Sequence, residues 1–232
     1  MFTSFNSVKE RLLVMDFKVF VDFKGFYEER ARKAVSALNK NLFEGVYAPT
    51  SQQAVEEVLK RIPPHASVGF GGSLTLRQIG LVETIKGRGH TVFDHWQEGL
   101  SPDEVLKARR GQLTSDVFLT SSNAITCDGH LINIDGFGNR VAAMTFGPQK
   151  VIVVAGVNKI VKDQAAAMSR IKDEAAPLNF CRLNLPTPCS KTTFCMDCSP
   201  PARSCRVTVT TEVKPLGIPE YVVVIVGENL GL

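Results

Sequence analysis

The run VIVVAGV at residues 151–157 is unbroken by any polar side chain and stops at Asn158 and Lys159. It is far too short to cross a bilayer, so it reads as a buried strand. YVVVIVG at 221–227 reads the same way.

Working outward, the pattern alternates. Residues 26–42 put Phe26, Ala31, Ala34, Val35, Leu38 and Leu42 on helical spacing with charges between them, which predicts an amphipathic helix. Thr50–Ser51 caps a second helix over 52–61, with Ala54, Val55, Val58 and Leu59 inward and Pro63–Pro64 after it. A strand at 67–70 meets Gly71–Gly72, and a helix is predicted from Ser73 to about Lys86. A strand at 91–93, a helix from Ser101–Pro102 to about Arg110, and a strand at 116–120 follow. Residues 123–135 form a hairpin turning at Asp128–Gly129. The strand at 151–156 leads into a helix at about 159–173, and strands are predicted at 206–213 and 221–226. The fold class is therefore α/β: a mostly parallel sheet flanked by helices, with a cysteine loop and antiparallel C-terminal strands. We divide the chain into an extension at 1–24 and one domain at 25–232, with the loop 181–205 inside it.

With 232 residues, a hydrophobic share of 44% and a formal charge of +4, the chain fits one globular α/β domain. Its basic residues form no block and do not alternate with aromatics, so nucleic acid is not an expected partner, and no membrane span is expected. The segment Leu12–Phe23 is broken by Asp16, Lys18 and Asp22 and does not read as a secretory signal; Met15 is an alternative start. A cytoplasmic location is expected. A homo-oligomer is compatible with all of this.

Cys189, Cys195, Cys198 and Cys205 crowd into one window with the spacing C-x5-C-x2-C-x6-C. Pro186, Pro188, Pro200 and Pro201 discourage regular structure there and predict a shaped loop. Four thiolates suit an iron–sulfur cluster or a tetrahedral zinc site. The spacing does not choose the metal, and a disulfide staple or packed free thiols are the alternatives. Cys181, eight residues upstream, is a fifth candidate thiolate, while it and Cys127 otherwise read as packing or idle residues.

Ligands of open α/β sheets sit beyond the carboxyl ends of the strands. Gly71, Gly72 and Ser73 follow one such end, where glycines let backbone approach an anion; the alternative is a tight turn with Ser73 as helix cap. Ser121, Ser122 and Asn123 follow another, and Asn158 and Lys159 a third. The polar loop Asp135-Gly136-Phe137-Gly138-Asn139-Arg140 brings Asn139 and an arginine suited to clamp a carboxylate or phosphate, unless Arg140 simply pairs with Asp135. Together these define an expected crevice for an anionic small molecule. The four histidines have no metal-type spacing and read as surface or turn residues.

GFGGSLTLRQIGL (69–81), FLTSSNAITCDGHLINIDGFGNRVAAMTFGPQKVIVVAGVNKIV (118–161) and APLNFCRL (176–183) resemble the LUD-domain family of lactate-utilization proteins. The cysteine loop and the closing VVVIVGENLGL extend the likeness over about residues 25–232. The resemblance implies a fold like the sugar-isomerase and CoA-transferase group. It also implies a part in L-lactate oxidation to pyruvate beside redox partner subunits, with a 4Fe-4S iron–sulfur cluster as cofactor. The family's motif positions fall on Gly71, Gly72, Ser73, Thr75, Asn123, Asp135, Gly138, Asn139, Arg140, Asn158, Lys159, Asn179 and Arg182. A transferase- or ligase-like enzyme with structural zinc is the alternative.

Overall fold

The protein is described by a computed structural model in which residues 23–232 are defined; all but the last two residues of the expected extension at 1–24 lie outside the described residues. Helix α1 (Phe23–Lys40) buries Ala31, Ala34 and Leu38, one stripe at helical spacing. Phe26 and Leu42, expected on that stripe, are exposed: Arg30 lies over the Phe26 ring, and Leu42 sits past the helix end with φ 65°. Strand β1 (Glu44–Ala48) follows, then α2 (Ser51–Leu59), capped by the Thr50 hydroxyl, which accepts from the Gln53 N–H.

Next come β2 (Val68–Phe70), α3 (Leu74–Gln78) and α4 (Leu81–Gly87). The single helix predicted over 73–86 is thus two, because Gly80 adopts φ 70° between them. Strand β3 (Val92–Asp94) leads to α5 (Pro102–Leu113), opened by a reciprocal Ser101–Glu104 capping box. Then come β4 (Val117–Thr120), β5 (Ala124–Thr126), β6 (Leu131–Asp135) and α6 (Asn139–Thr145). Helix α6 lies partly where the sequence reads as polar loop.

Strand β7 (Lys150–Gly156) ends in a 3-10 turn, Val157–Lys159, followed by β8 (Ile160–Val161) and α7 (Gln164–Arg170). A π-helical turn at Ile171–Ala175 joins α7 to α8 (Ala176–Arg182), so the helix expected at 159–173 starts later and runs further. The cysteine loop contains a short α9 (Pro188–Thr192), and β9 (Val207–Thr211) and β10 (Glu220–Val226) close the fold.

The main sheet has six strands in the order β1-β10-β7-β4-β2-β3, every neighbouring pair parallel. Ile152 and Val154 of β7 join Val222, Val224 and Val226 of β10 in the core under α2–α4. Val151, Val153 and Ala155 face the other way, with Tyr221, Val223 and Ile225, into the core under α1. Each such buried aliphatic side chain contributes about 1.5–3 kcal/mol. Both faces are covered, which is why these runs carry no alternation.

Of the two C-terminal strands expected to be antiparallel, only β9 is. Strand β10 is parallel to both neighbours, as its apolar, doubly buried sequence requires. Strand β9 instead closes the small mixed sheet β8-β5-β6-β9. It runs antiparallel to β6, with Asp135 opposite Val207. That register decides where the cysteine loop ends.

Candidate functional site

A cavity of about 720 Å³ opens between the carboxyl ends of β2, β3, β4 and β7 and the small sheet. Of the crevice residues expected from sequence, Gly72, Ser73, Asn123, Asp135, Asn139, Arg140 and Lys159 line it. Gly71 and Asn158 do not. Gly71 donates its N–H to Leu119 O at 2.9 Å, and a Cβ there would meet Thr120 Oγ1 at 2.6 Å, so strand packing dictates that glycine. The Asn158 side chain accepts the Leu230 N–H at 3.0 Å and pins the C-terminal segment.

The local roles also differ from those expected. Ser73 caps α3, its hydroxyl accepting from the Leu76 N–H at 3.3 Å, and that helix has only five residues. A Cβ on Gly72 would lie 2.7 Å from Trp96 Cζ2, so the glycine makes room for an indole ring. Arg140, expected as an anion clamp, has its donors engaged by the protein. Nε and Nη2 reach Asp135 Oδ1 at 2.9 and 2.6 Å, Nη1 reaches Asn133 Oδ1 at 2.7 Å, and Nη2 also reaches Asn123 Oδ1 at 2.9 Å. Asn123 Oδ1 accepts the Ile134 N–H as well. Arg140 is the hub that fixes the β4–β5 turn against β6, and the simple ion pair with Asp135 is the arrangement found.

Lys159 differs from it. It follows β7 at the centre of the sheet, and its side chain is almost wholly buried. Nζ donates to Ser121 Oγ at 2.9 Å and to Thr75 Oγ1 at 3.0 Å. Among the described residues no carboxylate pairs with it. Burial, aided by the Arg170 and Arg140 charges, brings its pKa down to about 7. Arg170 is held in turn by Asn123 O and Asn158 O, at 2.7 and 3.1 Å.

The opposite wall was not foreseen. His95 and Trp96 follow β3, and Arg109 comes from α5. Gln112 Nε2 lies 2.8 Å from both Phe70 O and His95 Nδ1, while Gln112 Oε1 accepts from Asn139 Nδ2 at 3.0 Å. Burial, then the Arg109 charge, lowers the His95 pKa to about 4, so the ring is neutral. The Arg109 guanidinium stacks 3.7 Å from the centre of the Phe137 ring, and its buried Nε has no partner among the described residues. Arg182 and Arg77 lie over Trp96 at 4.8 and 5.3 Å. Asn179 and Phe180 of α8 close the rim. The signal for this wall was available: His95 and Trp96 sit just past a parallel strand's carboxyl end, where ligand-facing loops belong.

The cysteine loop returns to the same place. Arg206 donates its N–H to Asp135 O at 2.9 Å, and Cys205 and Arg206 line the cavity. All six cysteines are free thiols, so the disulfide staple is not found. Cys189 is buried, with its Sγ 3.5 Å from Thr187 Oγ1. The Asp197 N–H donates to Cys195 Sγ at 3.4 Å, inside the Cys195-x-x-Cys198 pair. Burial first, then the nearby thiols of Cys189, Cys195 and Cys198, push Cys205 up to about 11, with Arg203 opposing. The four sulfurs are thus electrostatic neighbours. As the loop is folded, no three His, Cys, Asp or Glu side chains among the described residues are grouped to grip a metal ion.

No helix among the described residues is long and apolar enough to cross a membrane. No curated protein matches the sequence. Among solved structures, a DUF162 family protein from Deinococcus radiodurans is similar at 11% identity and a TM-score of 0.48; the alignment covers 88% of this chain and 98% of that one. The family model of the LUD domain matches residues 31–226, nearly the whole described fold. The chain belongs to the LUD-domain family.

Proposed function

We propose that the protein serves the oxidation of L-lactate, or a related 2-hydroxy acid, to its 2-oxo acid. The acid anion occupies the cavity beside Lys159, and Cys189, Cys195, Cys198 and Cys205 hold a 4Fe-4S cluster. The observation that carries this reading is that Cys205 and Lys159 line one cavity. A thiolate-bound centre that includes Cys205 would then open on the same cavity as the acid. The donor chemistry fits: four soft sulfurs come from one segment, with an N–H already donated to Cys195 Sγ. Binding would draw the thiols together as thiolates, against the repulsion that now raises Cys205. The cluster would supply one-electron transfer; redox partner subunits would take the electrons on. Lys159, neutral His95 and Arg109 are the groups on the cavity wall that this chain offers the acid and its carboxylate. A reducing cytoplasm suits six free thiols.

A second reading draws on the size of the cavity, which exceeds a three-carbon acid and lies in the range of drug-sized ligands. It is a transferase- or ligase-like enzyme for a larger anion, with zinc held structurally. Anaerobic purification with iron, sulfide and zinc analysis separates the two. Iron with acid-labile sulfide, lost on Cys195→Ser and Cys198→Ser together, is the expected result. Stoichiometric zinc without sulfide favours the second reading, and a metal-free protein after anaerobic reconstitution overturns both.

A further inference from the structure

Lys159 has a property that binding an anion does not require. No carboxylate pairs with its amine among the described residues, so nothing there holds it in the ammonium form. The charged groups that face it are Arg170 from α7 and Arg140 from α6, both cationic. From the α3 and β4 sides it meets only the Thr75 and Ser121 hydroxyls, at 3.0 and 2.9 Å. The Gly231 backbone also passes so closely that a Cβ there would lie 2.9 Å from Nζ. The surroundings disfavour the ammonium form, and Lys159 is among the residues lining the cavity.

The geometry points to Lys159 as a nucleophile that condenses with the carbonyl carbon of a 2-oxo acid. The proposal rests on the reading that the cavity takes such acids, and adds a covalent role within it. The Nζ lone pair attacks the carbonyl carbon, the C=O π pair moves to oxygen, and a proton passes from nitrogen to that oxygen. The resulting carbinolamine loses water, leaving a C=N bond. One amine and one carbonyl give one imine and one water, with no oxidant or reductant consumed. Ser121 Oγ and Thr75 Oγ1 are within reach to relay the proton. The retained carboxylate of the acid offsets the local positive charge of Arg140 and Arg170.

Trp96 is the chain's only tryptophan and lines the same cavity, so its fluorescence reports occupancy separately from chemistry. The test treats the whole protein with pyruvate and cyanoborohydride, then maps the reduced adduct by peptide mass spectrometry. The expected result is a saturable adduct on Lys159, with formation rising through about pH 7 and not near pH 10.5 as for an ordinary lysine. The adduct should disappear in Lys159→Arg, which keeps a cation, and in Lys159→Met, which keeps the burial. Pyruvate that quenches Trp96 without any Lys159 adduct overturns this inference and leaves the binding reading standing. Absence of any Trp96 response to pyruvate and to L-lactate overturns the reading on which it rests. Adducts scattered over surface lysines and unchanged in Lys159→Arg also overturn the inference.

Discussion

The Arg140 guanidinium meets the Asp135 carboxylate at 2.6 Å, and the same group also reaches the side chains of Asn133 and Asn123. One arginine thereby ties the end of β6 to the turn after β4. Both members of the pair are largely buried. Removing one leaves the other without compensation, which costs more than the pair contributes. Arg140→Ala is expected to cost about 3–5 kcal/mol in urea unfolding. Arg140→Lys should recover little of it, because a single ammonium cannot span three acceptors. A variant within 1 kcal/mol of the parent, by the order of magnitude of exposed pairs, would show that the hub is dispensable.

Gly72 faces the Trp96 indole, with room for a hydrogen but not for a methyl group. Gly72→Ala should displace the ring, shift its emission to the red and cost about 1–3 kcal/mol, the range for overpacking. Gly87→Ala is the matched control, since a Cβ there meets nothing within 4 Å. It should leave both emission and stability close to the parent. Equal effects of the two substitutions would remove the indole as the reason for Gly72.

His95 is held neutral, with its pKa depressed to about 4 from the ordinary 6.5. The unfolded chain therefore takes up a proton before the folded one does as pH falls. The contribution of His95 to stability is full above pH 6.5 and is lost as pH falls from there through about 4. His95→Gln should flatten the stability profile across that window, read as unfolding midpoints at stepped pH. Parallel profiles for the two proteins would place the acid sensitivity elsewhere.

The Cys205 thiol is pushed to about 11, whereas Cys181 is exposed on α8. Alkylation proceeds through the thiolate. In metal-free protein at pH 8, iodoacetamide should label Cys181 well before Cys205, as followed by peptide mass spectrometry. Labelling of Cys205 should gain rate as pH climbs towards 11. Early modification of Cys205 at pH 8 would mean that its burial or its thiol neighbours differ from those found here.

Val151–Ala155 and Tyr221–Val226 were legible as buried strands because no polar position interrupts them, but the direction of β10 was not, since it depends on its neighbours β1 and β7. Strand β1 was missed, since Glu44–Ala48 is short, holds Gly45, and lies at the sheet edge, half exposed. Helix α6 was missed because it opens on Gly138 at φ 83° with Asn139 and Arg140 in its first turn, residues that also suit a loop. Seven of the expected crevice residues reach one cavity because each follows a strand end or lies beside one. Their roles were not legible. Whether an arginine clamps a ligand or a turn depends on Asn133 and Asn123, which only the β5–β6 hairpin brings to it. The same holds for Lys159, whose pKa is lowered to about 7 by burial first and then by the Arg170 and Arg140 charges, all of which depend on how the chain folds around it.

Strand β10 is the last element made and sits second from the edge of the main sheet, between β1 and β7. Glu44 pairs with Val222 across almost the whole length of the chain, and among the described residues β1 has no other strand partner. During synthesis, β1 must therefore wait with unpaired backbone, and α1 with an uncovered apolar stripe, until β10 has emerged. Among the described residues, the earliest strand of the main sheet is thus completed by the latest, so its edge stays open to other chains until β10 arrives.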